Sequence, residues 1–352
     1  MSLGIEVRKD LLWELDSYGE PIQLRPERGL FIADKIAEAI TIYLCTDRDL
    51  LTKEQWDNHI DYLDSLPDIV SSKERTYLSL KEHISMNVQG VNFGILLSGG
   101  IDSCLITKIC QDYGYDFRCF CVGVAGSKDI YYAQKISDHL NLDLVTREYS
   151  YEEVENLLNE VIKILPKPII EDDNYIEYIV KVTVSAVLLG AMRLGDEELF
   201  LSGIGAEELF AGYQRHSKAI DAGGEWRGLA IENLEKESLN GLKRMHNLVF
   251  ERDGFICNYL SKSLLAPYLA NNVILQAMNM DGSQKIDSHN NKKILREIAS
   301  DIGMPEEFYN RKKKGAQYGS GFDKAISKMA KKKGFKLKKR YLEHLLMSGK
   351  SL

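Results

Sequence analysis

No apolar run in the 352 residues approaches the roughly 20 residues that cross a bilayer as a helix. The first residues lack the basic stretch and apolar core of a secretory signal. Both absences set the expectation of a cytoplasmic protein. The six cysteines are scattered, and their spacing matches neither a zinc site nor a disulfide framework. They read as reduced core residues, with Cys104, Cys110, Cys119 and Cys121 in apolar contexts. No internal repeat and no low-complexity linker interrupts the chain. A net charge of −7 excludes general attraction to nucleic acid. That charge is uneven, because residues 311–340 hold 13 Lys or Arg against one acid, Asp323. Within this segment Lys331–Arg340 reads as a solvated helix face or tail.

What is present is a composition ordinary for a globular protein, 44% apolar, in a chain long enough for about two domains. Its organising stretch is Gly94-Ile95-Leu96-Leu97-Ser98-Gly99-Gly100-Ile101-Asp102-Ser103. The apolar run suits a strand covered on both faces. The paired glycines let a ligand approach the backbone. Ser103 is the expected opening of a helix Cys104–Tyr113, with Gly114 at its C′ position. Such a helix start favours a phosphate group. Asp102 would repel that anion unless a cation bridges them, which points to Mg²⁺ and a polyphosphate. No Gly-Lys-Ser/Thr follows, so the stretch is not a Walker loop. On these grounds Asp102 is placed in a surface turn.

Strands are expected at Phe93–Leu97, Phe117–Val124, Asp143–Tyr149 and Glu198–Ser202. Helices are expected at Phe31–Leu44, Lys73–Asn87, Ser103–Tyr113, Asp129–Leu140, Tyr151–Leu165 and Tyr175–Arg193, with a capped helix start at Thr52-Lys53-Glu54-Gln55. The alternation argues for a doubly wound, mostly parallel α/β sheet. Ligands of such sheets bind at the carboxyl ends of the strands. Three strand ends, at Ser98-Gly99, Val122-Gly123 and Ser202-Gly203, are expected to converge there. After Ala219 the chain reads as predominantly helical.

A second strand–turn–helix stretch is Leu201-Ser202-Gly203-Ile204-Gly205-Ala206-Glu207-Glu208-Leu209-Phe210-Ala211-Gly212-Tyr213. Its two acids suit the dipole of a helix start, and Glu207 could equally join Asp102 in holding a metal. Ser98–Ser103 resembles the pyrophosphate loop of the N-type ATP pyrophosphatases. Together with the second stretch it resembles the synthetase domain of the asparagine synthetase family, which includes the β-lactam synthetases. Val122-Gly123-Val124-Ala125-Gly126-Ser127-Lys128-Asp129, Ala266-Pro267-Tyr268-Leu269 and Lys292-Lys293-Ile294-Leu295-Arg296 are similar to further family motifs. Arg311–Gly321 is similar to the lysine loop of the β-lactam synthetase branch, with Lys313 in the catalytic place.

The resemblance implies an adenine nucleotide alpha-hydrolase-like fold over residues 75–340, a mainly helical extension at 1–74 and a tail at 341–352. It implies ATP and Mg²⁺ as cofactors, with Asp102 and Glu207 holding the metal. Leu97, Ser98, Gly99, Gly100, Asp102, Ser103, Val122, Gly123, Ser202 and Gly203 would bind ATP, and Lys313, Asp102 and Glu207 would be catalytic. The implied reaction is adenylation of a small carboxylate with release of pyrophosphate, then transfer of the acyl group to ammonia or an amine. Specificity would lie near Ile170–Tyr178 and in the helical region.

Three residues or segments depart from the pattern. Only about ninety residues precede the loop, and the first cysteine is Cys45, so glutamine hydrolysis by this chain is not expected. A separate glutaminase subunit, free ammonia or an amine substrate stays open as nitrogen source, as does a homodimer. Ile204 stands where the asparagine synthetases have Glu and the β-lactam synthetases Tyr, which argues against asparagine as product. Glu207 replaces an Asp. Two other readings stay open. One is another adenylating chemistry, on a nucleobase or tRNA. The other is a non-catalytic nucleotide-binding partner protein, expected to have lost Asp102 or Lys313, which are both kept.

Overall fold

The computed structural model describes residues 13–15, 21–23, 52–166, 175–226, 229–230, 234–311 and 315–348. The helix expected at Phe31–Leu44, most of the specificity segment near Ile170–Tyr178, and Lys313 lie outside them. An antiparallel pair, β1 (Trp13–Leu15) and β2 (Pro21–Gln23), comes first. The alternating region then gives β3 (Phe93–Leu96), β4 (Phe117–Gly123), β5 (Leu144–Glu148) and β6 (Leu199–Leu201). A short antiparallel pair, β7 (Glu225–Trp226) and β8 (Leu229–Ala230), precedes β9 (Ser263–Leu265). The order β5-β4-β3-β6-β9 makes one five-stranded sheet, and every ladder in it is parallel.

Parallel neighbours require crossovers, and these are the helices Ile101–Asp112, Lys128–Leu140, Tyr151–Ile164 and Tyr175–Met192. Each expected strand and helix of this region appears within a residue or two. β9 is the exception, in a stretch read as helical. Its Leu265 carbonyl accepts the Ser202 N–H at 2.9 Å, so this strand fixes the end of β6.

β3 sits at the centre, and residues Ile101–Thr107 of its crossover helix are all buried. The Thr52–Gln55 capping box forms as expected and starts the helix Lys53–Asp64. Trp56 of that helix donates its indole N–H to the Leu242 carbonyl at 2.7 Å. The helix thus packs on Leu234–Met245 and Asn271–Met278 and shares the main core through Trp56, Ile60 and Leu63. Tyr341, Leu342 and Leu345 of the helix Lys338–Ser348 join the same core. Cys104, Cys110, Cys119, Cys121 and Cys257 are buried, and burial pushes the Cys110 and Cys119 thiols up. No helix of the described residues is long and apolar enough to cross a membrane.

Candidate active site

The glycine loop leaves β3 at the carboxyl edge of the sheet, where Leu97 N–H still donates to the Phe120 carbonyl of β4 at 2.9 Å. The following helix begins at Ile101, with Gly100 at its N-cap and no side chain capping it. The expected role of Ser103 as the helix opener is therefore corrected. Its hydroxyl turns back into the loop, accepting the Ser98 N–H at 3.3 Å and donating to the Gly100 carbonyl at 3.1 Å. Gly99 has a φ of +67°, and a Cβ there would come 2.6 Å from Tyr132 Cβ. Both the left-handed backbone and the close approach require glycine.

Beneath the loop lies Arg311. One of its terminal nitrogens donates to the Ser98 carbonyl at 2.6 Å and the other to an Asp129 carboxylate oxygen at 2.7 Å. The guanidinium lies 4.1 Å from the Tyr132 ring centroid. Beyond residues 312–314 the chain returns to the same place. Ser127 Oγ donates to the Gly319 carbonyl at 3.1 Å, and Val124 N–H to the Ser320 carbonyl at 2.9 Å. A Cβ on Gly319 would come 2.1 Å from the Asp129 carboxylate. The residues flanking the lysine stretch on both sides are thus tied to the glycine loop and to the motif after β4. Neither Arg311 nor Asp129 had been given a role from sequence.

Asp102 is not in a surface turn. It is 5% exposed, in the first turn of the β3 crossover helix. Gly203, at the end of β6, lies so close that a Cβ there would come 2.6 Å from Asp102 Cβ. The buried Tyr268 hydroxyl donates to the Asp102 carbonyl at 3.1 Å, which gives the Pro-Tyr-Leu motif after β9 a place in the site. Burial, with the Asp102 charge adding to it, pushes the Tyr268 phenol up, so it stays a donor.

The ends of β3 and β6 bring Asp102 and Glu207 together, as expected. Between them lies a group that sequence reasoning passed over. Lys292 Nζ is 2.7 Å from each Asp102 carboxylate oxygen and 2.8 Å from Glu207 Oε1. Burial alone would lower this ammonium's pKa. The two carboxylates outweigh burial and hold it above the ordinary lysine value. Next to Glu207, Glu208 is buried, which raises its carboxyl against the hydrogen bond it accepts from the Tyr213 hydroxyl at 2.5 Å. Ile204 is half-buried against the main core.

Asp102 and Glu207 supply hard oxygen donors, and no group of three or more His, Cys, Asp or Glu gathers among the described residues. Two carboxylates beside a glycine loop that opens a helix with no side-chain cap fit Mg²⁺, which characteristically takes one or two carboxylates plus substrate phosphates. Val122 and Gly123 end β4, the neighbour of β3 in the sheet. The Gly123 carbonyl accepts the Tyr149 N–H at 2.8 Å.

The family model for asparagine synthase matches residues 78–256 and 261–344. "Putative asparagine synthetase (glutamine-hydrolyzing) 1" of Methanocaldococcus jannaschii is 32% identical over 319 residues, covering 78% of this chain and 56% of that protein. "Asparagine synthetase (glutamine-hydrolyzing) 2" of Lotus japonicus is 25% identical over 257 residues, covering 66% of this chain and 40% of that protein. The chain therefore spans about half the length of the curated relatives it matches. A solved NMN synthetase from Francisella tularensis is similar at a TM-score of 0.28 and 12% identity, over 58% of this chain and 93% of its own.

Proposed function

The chain belongs to the asparagine synthase family, and we propose that it is an ATP-dependent ligase that forms an amide by way of an acyl-adenylate. One observation carries the reading. Asp102 and Glu207, after the ends of β3 and β6, meet on the same ammonium, Lys292, beside a glycine loop whose helix start has no side-chain cap.

A substrate carboxylate oxygen attacks the α-phosphorus of ATP, the bond to the β-phosphate oxygen breaks, and pyrophosphate leaves. An amine nitrogen then attacks the acyl carbon, AMP leaves with its oxygen, and the nitrogen gives up a proton. Charge accumulates on the phosphates in the first step. The loop N–H groups after Ser98, with Gly99 and Gly100, meet that charge without reorganising. Asp102 and Glu207 would hold Mg²⁺, which when bound neutralises phosphate charge. Lys313, two residues after Arg311, whose guanidinium pairs with Asp129, would add a positive point charge. Val122, Gly123, Ser202 and Gly203 would line the nucleotide from the flanking strand ends. Ile204 can neither bind ammonium nor move a proton, so the accepting base lies elsewhere and asparagine is not the product we favour.

The test is ATP–pyrophosphate exchange over a panel of amino and keto acids, followed by AMP formation with ammonia, glutamine or amines as nitrogen donor. Exchange that depends on one acid is the expected result, with AMP then formed in the presence of ammonia or an amine. ATP cleavage to ADP, or no acid-dependent exchange across the panel, overturns the reading.

A further inference from the structure

Lys292 has the placement of a built component. It precedes the helix Lys293–Asp301 with a left-handed backbone, φ 52° and ψ 37°, which a lysine adopts only when the surroundings impose it. Its N–H donates to the Phe210 carbonyl at 3.1 Å. The preceding Asn291 donates to the Gly212 carbonyl at 2.6 Å, and Arg296 holds Asn291 through both its backbone and side-chain oxygens. The Lys292 stem then runs past Gly212, where a Cβ would come 2.2 Å from Lys292 Cε and 2.1 Å from Glu207 Oε2. The ammonium has three donors. The three oxygens within 2.8 Å match them, two on Asp102 and one on Glu207.

These are the oxygens that a bridging divalent ion would need. Mg²⁺ sits about 2.1 Å from its ligands. An ion at that distance from an Asp102 and a Glu207 oxygen would press against the ammonium already between them, cation on cation. We propose that Lys292 is the resident counter-ion of the metal site. It neutralises Asp102 and Glu207 while no nucleotide is bound and excludes a free divalent ion from them. The metal then enters only with a polyphosphate, whose oxygens supply the missing ligands and give the displaced ammonium an anion to follow. The consequence is order: metal and nucleotide arrive together. This rests on the proposed use of Asp102 and Glu207 as metal ligands, though not on the identity of the acid or amine.

The experiment titrates Mn²⁺ into the nucleotide-free chain and reads free ion by electron paramagnetic resonance. It compares the native chain with Lys292→Met, which removes charge and donors, and Lys292→Gln, which removes charge and keeps an amide donor. Each is repeated with Asp102→Asn added. Circular dichroism follows folding with and without Mn²⁺. The expected result is weak Mn²⁺ binding by the native chain and affinity about tenfold or more higher in either Lys292 variant, lost again when Asp102→Asn is added. A variant that folds only once Mn²⁺ is present also supports the proposal, because the ion then replaces the ammonium. Unchanged or weaker affinity in both variants overturns it. So does a gain that survives Asp102→Asn, or failure of both variants to fold even with Mn²⁺. Pyrophosphate exchange is no part of this readout, so a native chain that fails to exchange with any acid would sink the proposed reaction and leave this result standing.

Discussion

Arg311 joins Asp129 at 2.7 Å while its second terminal nitrogen takes the Ser98 carbonyl at 2.6 Å. The pair is nearly dry, with side chains 6% and 4% exposed. One guanidinium therefore ties the glycine loop to Asp129 and holds the chain where it enters the lysine stretch. Removing one partner of such a pair leaves a buried charge and costs about 3–5 kcal/mol. Arg311→Met should therefore destabilise the chain by about 3 kcal/mol in urea unfolding. Asp129→Leu combined with Arg311→Met should recover much of that stability and none of the pyrophosphate exchange. Equal stability for Arg311→Met and the native chain would show that the pair does not hold the loop.

Asp102→Ala carries a stability cost as well as a functional one. A surface position would allow the fold to survive untouched. Asp102 is instead buried on Lys292, and its loss leaves that ammonium with Glu207 alone, whose side chain is 40% exposed. Asp102→Ala should lose Mg-ATP turnover and about 3 kcal/mol of stability, while Asp102→Asn should lose turnover at a smaller stability cost. Urea unfolding beside pyrophosphate exchange checks both. Retained exchange in either variant would remove Asp102 from the chemistry.

The difference between the expected and the observed Asp102 shows where sequence reading ends. The glycine loop, the four strands from Phe93 to Leu201 and their crossovers were legible, because a continuous apolar run between turn residues is a local signal. The cover over Asp102 comes from Gly203, Tyr268 and Lys292, the last of them 190 residues away, and no local pattern reports such a contact. β9 was missed for a similar reason. Three residues are too few to show a period, and its pairing with β6 is tertiary. Lys292 did leave a trace. A positive charge at a helix start opposes the dipole, and such a local violation marks a position held for another purpose. Similarity to a family motif alone assigns that first lysine no role.

Lys313 should differ in kind from its neighbours. The flanking residues are anchored at Ser98, Asp129, Ser127 and Val124, beside the proposed phosphate site. A charge that meets phosphate as the transition state develops affects the rate of adenylation more than ATP affinity. Lys313→Met should lower the rate at saturating ATP by about 100-fold, with Lys312→Met and Lys314→Met losing far less. Pyrophosphate release is the measurement. Equal losses in all three, or a change confined to the Michaelis constant for ATP, would make the stretch a general electrostatic patch.

Lys285 gives a prediction independent of the site. It ends the short helix Gly282–Lys285, is fully buried, and its Nζ meets no hydrogen-bond partner among the described residues. Burial pushes its pKa from 10.5 to about 8, against the weaker opposing pull of Glu235 and Asp281. Between those two values the unfolded chain binds more protons than the folded one, so stability rises with pH across that window. Below about pH 8 the folded chain carries the whole cost of a buried ammonium, about 3 kcal/mol at one pKa unit per 1.36 kcal/mol. Lys285→Met keeps the apolar stem and removes the charge. The variant should be more stable than the native chain at pH 7 by about 3 kcal/mol. Its advantage should shrink steadily from pH 8 towards pH 10.5. Urea unfolding of both chains at pH 7, 8.5 and 9.5 measures the difference. A gain that stays constant over that range would come from packing alone, and a less stable variant would mean that the Lys285 ammonium is held by a partner.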